Sequence, residues 1–456
     1  MPASSPRILH ASSALLPGGW ARDVTVSLGA DGAIASVESG IAATQGMERV
    51  AGPLLPAMPN LHSHAFQRAM AGLAEVSGAG DDSFWTWREE MYRTVGLLAP
   101  EQVEVIATKL FIEMLKGGFG AVAEFHYLHN AVGGAAYADR AEMSRAIIRA
   151  ARRAGIGLTL LPVFYAHANF GGMAPNPGQA RFIHDVDGFL NLMESLVGGE
   201  GYHLGMAFHS LRAATPDEMQ ALLAALPAIT PIHIHVAEQT REVEDCLAWS
   251  GKRPVEWLLD SMPVDARWCL IHATHVTADE VAAMAASRAV AGLCPATEAN
   301  LGDGIFPGTH YLHRGGRFGI GTDSHVATGV AEELRTLEYG QRLRDRKRNR
   351  MVSGADQSVG QILFDTSLAG GAQALGQNIG RIEPGAKASF VVLDGQNPYI
   401  GAAKDSQILD RWLFAVGDKA VRDVMVEGHW VIRDGNHAED AAVDTVFRAV
   451  LESLAK

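Results

Sequence analysis

Between residues 54 and 325 the chain alternates short apolar runs with segments whose apolar residues recur at helical spacing. The runs end near His64, His126, Tyr165, His209, Glu238, His275, Glu298 and His325. Apolar strands separated by helices are the mark of β/α repetition and a parallel sheet. The intervening helices are expected over residues 101–116, 138–154, 216–226, 240–249 and 277–287. Eight such units in about 300 residues predict a (β/α)8 TIM barrel of the α/β class, with its chemistry at the C-terminal ends of the strands.

The two ends of the chain read differently. Residues 7–50 alternate β-like runs with Gly and Asp turns, as in Asp23 to Leu28 followed by Ala30, Asp31 and Gly32. Residues 388–394 and 424–432 repeat the pattern near the far end, the latter with a turn at Glu427 and Gly428. The terminal regions are expected to form one small sheet domain.

Composition narrows the function. A chain of 456 residues that is 48% hydrophobic and 20% charged has too much apolar residue for disorder and enough length for a barrel plus an accessory domain. A net charge of −13 argues against a nucleic-acid partner. The basic run from Arg342 to Arg350 reads as a helix end and a solvated face. The three cysteines, Cys246, Cys269 and Cys294, form no C-x-x-C pair and point to a reducing compartment. With no apolar run of spanning length and no leader pattern at the N-terminus, the expectation is a cytoplasmic protein without a membrane partner.

Most of the candidate strands finish on ligand-competent residues: His62 and His64, Glu124 and His126, His209, then His233, His235 and Glu238, then His272, and finally Asp323. In a strand, alternate side chains share a face, so His62 and His64 point the same way, as two ligands of one metal must. Unpaired buried polar groups cost about 1–3 kcal/mol each, so their repeated placement at one end of a barrel indicates a site. His233 and His235 share a face, and either can serve. Taken alone, Glu238 would be a first-turn carboxylate of the next helix.

On His62-Ser63-His64, His235-Val236-Ala237-Glu238, His272 and Thr322-Asp323-Ser324, the chain resembles the amidohydrolase superfamily in its mononuclear deaminase branch. Ala57 stands where that family often has Gly. The resemblance implies a distorted TIM barrel over residues 56–378 beside a small β-sandwich built from residues 1–55 and 379–456, the latter including a terminal helix. It implies one Zn2+ per chain, with iron also acceptable, held by His62, His64, His235 and Asp323, and a homodimer. Binuclear relatives bridge their ions through a lysine on strand three or four, and this chain has none between Lys116 and Lys252. The implied catalytic groups are Asp323, Glu238 and His272, acting on a metal-activated water. Glu124 is expected beside the ligands rather than on the metal.

The stretches Met58 to Arg68 and Asp82 to Arg88 resemble more narrowly the N-formimino-L-glutamate deiminase family. That likeness implies hydrolysis of a formimino C–N bond in histidine breakdown, giving N-formyl-L-glutamate and ammonia. A dicarboxylate substrate in a net acidic protein calls for local cationic donors, and Arg88 and Arg212 lie at the right face. Gln67, Tyr127 and His209 are expected to add hydrogen bonds, with Phe84, Trp85 and Trp87 in a lid or subunit contact. Two other readings stand beside this one: a deaminase of a ring amidine such as guanine or another purine or pyrimidine, and a non-catalytic barrel used for binding.

Overall fold

The structure, a computed structural model, describes residues 7–76 and 84–455, without the side chains of residues 84–86. The apolar runs form eight parallel strands: Met58–Ser63, Phe119–His126, Gly157–Phe164, Met206–Ser210, Ile232–Val236, Trp268–His272, Val290–Leu293 and Arg317–Ile320. They pair in chain order. The expected helices are Pro100–Lys116, Glu142–Ala154, Pro216–Ala225, Thr240–Ser250 and Ala278–Ser287. Several start as their sequences direct, Thr215 and Thr277 each capping a helix whose third residue is a Glu.

Three strand ends differ from expectation. The sixth strand stops at His272, not near His275. The seventh stops at Leu293, because Pro295 opens a new helix, Pro295–Leu301, in whose first turn Glu298 sits. The eighth stops at Ile320, so Asp323 and His325 lie in the loop beyond it.

That early stop shapes the seam where the barrel closes. Among the described residues no regular ladder joins the first strand to the last; an isolated bridge pairs Ser63 with Asp323, just beyond the last strand. Thr322 and Asp323 both donate their backbone N–H to the His62 carbonyl, at 3.1 and 3.0 Å. The helix Val359–Leu375 packs across the start of the same two strands, and two glycines allow it. A Cβ at Gly370 would lie 2.0 Å from the Phe318 carbonyl oxygen, and one at Gly371 would lie 2.9 Å from the Pro59 Cβ.

The chain ends meet in a second, mostly antiparallel sheet. Leu54–Pro56 joins its halves, pairing with Phe390–Leu393 on one side and at Ala14 on the other. Leu9, Val24, Val26, Phe390, Val392 and Met425, from strands spread along that order, share one buried cluster, so the sheet folds over its own core. The turn at Glu427 and Gly428 takes positive φ at both residues, as a tight hairpin needs. The last helix, Asp440–Leu454, leaves this sheet and lies on the barrel helix Pro100–Lys116, with ion pairs Lys109–Asp444 and Lys116–Asp440 at 2.6 Å. Among the described residues no helix is long and apolar enough to cross a membrane.

Candidate metal centre and active-site cavity

At the C-terminal end of the barrel, His62, His64, His235 and Asp323 bring four donor atoms within 4.8 Å of one another, all on buried side chains. The His62 and His235 Nε2 atoms are 3.0 Å apart, and Asp323 Oδ1 stands 3.4 Å from His62 Nε2 and 3.3 Å from His64 Nε2. The His64 Nδ1 faces the Phe125 carbonyl at 2.9 Å, and the His235 Nδ1 faces the His209 carbonyl at 2.8 Å. A carbonyl only accepts, so both Nδ1 atoms carry the proton and both Nε2 lone pairs turn to the centre.

Burial is the main force holding His62, His64 and His235 below the usual histidine range, and it keeps them neutral. Neutral imidazole lone pairs and a carboxylate oxygen at such distances repel one another unless a cation sits among them. The donor set therefore fits one N/O-ligated divalent ion such as Zn2+.

The neighbouring residues hold this cage in shape. His325 turns away from the cage: its Nε2 accepts the His64 backbone N–H at 3.2 Å and its Nδ1 faces Thr322 Oγ1 at 2.9 Å. Glu124 bonds the Ser63 hydroxyl and accepts the Ala65 N–H at 2.7 Å, gripping the chain on both sides of His64. Burial pushes its carboxyl up to about 8. His233 lies lower on the fifth strand and bonds the Ala374 carbonyl at 2.9 Å, at the opposite end of the barrel from the cage. Ala237, His272, Ala273, Asp323 and His325 all have positive φ without being glycine, so costly backbone is concentrated around the centre.

Above the cage opens a cavity lined by His64, Gln67, Arg88, Tyr127, His209, Arg212, His235, Glu238, His272 and Asp323, together with Trp87, Met91, Thr297, Leu301 and Ser324. Every polar residue expected to bind substrate is on that lining. Gln67 donates to the Tyr127 hydroxyl at 2.9 Å, and Arg88 to the Tyr165 hydroxyl at 3.2 Å. Burial, then the positive charges of Arg212 and Arg88, hold His209 well below its ordinary range, so the two guanidiniums act on one spot.

On the other side of the cage, His272 Nε2 is 3.8 Å from both Glu238 Oε1 and Asp323 Oδ2. Burial opposes the imidazolium, but Glu238, Glu298 and Asp323 outweigh it and push His272 up to about 10. Burial likewise raises Glu238 to about 7 against the pull of His272.

A cage and cavity of this make can arise on more than one barrel, and comparison with known proteins decides the kinship. A sequence profile described as "Amidohydrolase family" matches residues 54–431. The chain belongs to the amidohydrolase family. A second profile, described as the N-terminal domain of formimidoylglutamate deiminase HutF, matches residues 6–51. The formimidoylglutamate deiminase of Pseudomonas aeruginosa is 58% identical over 98% of this chain and 99% of its own length. A 5-methylthioadenosine/S-adenosylhomocysteine deaminase of Natronomonas pharaonis is 26% identical over 84% of this chain and 81% of its own. The crystal structure of an amidohydrolase from Brucella melitensis superposes with a TM-score of 0.94 at 50% identity, covering 99% of this chain and 100% of that one.

In this amidohydrolase, sequence reasoning passed over Thr297, Met91 and Leu301 on the cavity wall and gave Ser324 no role beyond its motif. Thr297 Oγ1 accepts the Ser324 N–H at 3.2 Å, an assembly with no local sequence signature. Trp87, expected in a lid, forms part of the wall, while the side chains of Phe84 and Trp85 fall outside the described residues.

Proposed function

We propose that this chain hydrolyses the formimino C=N bond of N-formimino-L-glutamate, with water supplying the oxygen of N-formyl-L-glutamate and the nitrogen leaving as ammonia. The observation that carries the reading is that a four-donor metal cage and two guanidiniums, Arg88 and Arg212, face one cavity. Two fixed positive charges suit a dicarboxylate and serve no purpose for a flat heterocycle. The named relative from Pseudomonas aeruginosa, similar over nearly its whole length, supports the same substrate.

His62, His64, His235 and Asp323 would hold one ion, Zn2+ by preference and iron as the alternative. When bound, the ion supplies Lewis acidity and brings the pKa of water towards about 7. Asp323 has its Oδ1 toward the imidazoles and its Oδ2 toward His272, so the second oxygen is placed to take a proton from the attacking water. Glu238, a carboxyl that titrates near neutrality, can pass a proton to the departing nitrogen. His272, held as a cation, stabilises negative charge developing at the reacting carbon's substituents. Arg88 and Arg212 bind the carboxylates, with Gln67, Tyr127 and His209 completing the hydrogen bonds.

The three buried, unbonded cysteines support a reducing, cytoplasmic setting, and we take a homodimer as the working state. The decisive experiment is ammonia release from N-formimino-L-glutamate by the zinc-loaded protein, run beside guanine, cytosine and adenine. Release from the first alone is expected. Turnover of a base instead would overturn the dicarboxylate pocket, and no turnover of any by metal-loaded protein would revive a binding role.

A further inference from the structure

Glu298 does not line the cavity, yet it makes the one side-chain hydrogen bond of His272 found among the described residues. His272 Nδ1 lies 3.2 Å from Glu298 Oε1, and the same oxygen accepts the Cys294 backbone N–H at 2.9 Å. The Glu298 side chain is 7% exposed, and among the described residues its only ion pair is with His272. A buried carboxylate without Lys or Arg costs several kcal/mol, and binding one backbone N–H does not require a full charge. The His272 ring is the one side chain among the described residues placed to pair with it.

The geometry around the ring points the same way. A carboxylate accepts only, so Nδ1 must carry a proton and Nε2 alone is left to face Glu238 and Asp323. The remaining ring contacts are aromatic ones, with the His235 ring stacked nearly parallel at 5.6 Å and the His62 ring edge-on at 6.1 Å, which do not fix rotation about its last torsion. His272 itself sits at the end of its strand with φ +66°. A residue in that strained backbone needs an external tether to hold one orientation.

We infer that Glu298 is a positioning residue, which holds the orientation of the His272 ring and so presents Nε2 to the reacting centre. The inference rests on the proposed reaction. A cluster of His272, Cys294 and Glu298 also has donor atoms close enough for a metal. There the Glu298 oxygen is already committed to two protein N–H groups, which favours orientation over ligation.

The test is a mutant cycle on the zinc-loaded enzyme, with ammonia release as the readout: wild type, Glu298→Gln, Glu298→Leu, His272→Asn and the His272→Asn/Glu298→Leu pair. Loss of the tether should lower kcat by at least about tenfold in Glu298→Leu and less in Glu298→Gln, which keeps an acceptor. KM should stay within about twofold and metal content at one per chain, and in the His272→Asn background the second change should add less than about twofold. Losses that multiply in that background, or a raised KM with kcat kept, would overturn the positioning role. Should Glu298→Leu not fold, the isosteric Glu298→Gln takes its place in the pair. Failure of the wild type to use N-formimino-L-glutamate would instead overturn the substrate, and the cycle is then read on whichever amidine the wild type hydrolyses.

Discussion

Asp323 donates its backbone N–H to the His62 carbonyl at 3.0 Å while its side-chain Oδ1 stands 3.4 Å from the His62 Nε2. The last β/α unit is thus tied to the first through the main chain at the point where their side chains meet. The seam has little regular pairing, and Asp323 holds φ +47° to make the connection. Ligand placement and barrel closure are one structural event here, so changes at the seam should report in both metal content and stability.

Removing the metal should therefore do more than stop the reaction. Dialysis against a chelator is expected to abolish ammonia release and lower Tm, and one equivalent of Zn2+ should restore both. His64→Ala should bind less than one metal per chain by elemental analysis. Full activity in metal-free protein would rule out the cage as the reaction centre.

Arg212→Gln and Arg88→Gln each remove one charge-assisted contact, worth about 1.5–3 kcal/mol, so kcat/KM should fall about 10-fold to 150-fold, mainly through KM. Steady-state kinetics with N-formimino-L-glutamate measure this directly. An unchanged KM in both variants would place the carboxylates elsewhere.

Glu238→Gln keeps the shape of a buried side chain but cannot carry a proton. A fall in kcat of about 10²–10⁴ is expected with metal content unchanged. A variant that instead loses its metal would assign Glu238 a ligand-supporting role.

The pair Gly370 and Gly371 lets a helix lie directly on backbone, and Gly370→Ala would drive a methyl group to 2.0 Å from the Phe318 oxygen. Overpacking of this kind costs roughly 1–3 kcal/mol, outweighing the roughly 1 kcal/mol that Ala gains in a helix. Thermal unfolding should show a lowered Tm, and a raised one would mean that the helix can shift freely.

Asp418 offers a test of pH-dependent stability away from the metal. Burial, and then Glu332, push its carboxyl up to about 6, although it accepts the Ala331 N–H at 3.3 Å. An acid raised in the fold prefers its proton there. Its favourable contribution is complete below about pH 4 and is lost as pH rises through about 6. Asp418→Asn should accordingly gain about 1–3 kcal/mol over wild type at pH 8 and nothing at pH 4, read from denaturant unfolding at the two pH values. An equal gain at both would exclude titration as its cause.

The sequence by itself determined the repeating β/α architecture, because burial on both faces leaves a run of apolar residues that any reading of periodicity detects. It also determined that His62 and His64 share a face, since the strand period is two. Local period says nothing about height along the barrel axis, which depends on the stagger between neighbouring strands. So strand period left His233 and His235 equivalent, the family resemblance favoured His235 through its spacing to Glu238, and the tertiary structure supplied the physical reason by sending His233 to the Ala374 carbonyl at the far end. Long-range closure likewise decided that Asp323 reaches the cage from a loop beyond its strand, and that Glu124 grips the backbone around His64. Glu298 was read as a strand end because nothing local marks its partner. A proline turned the chain into a helix, and packing across 26 residues of sequence brought its carboxylate to His272.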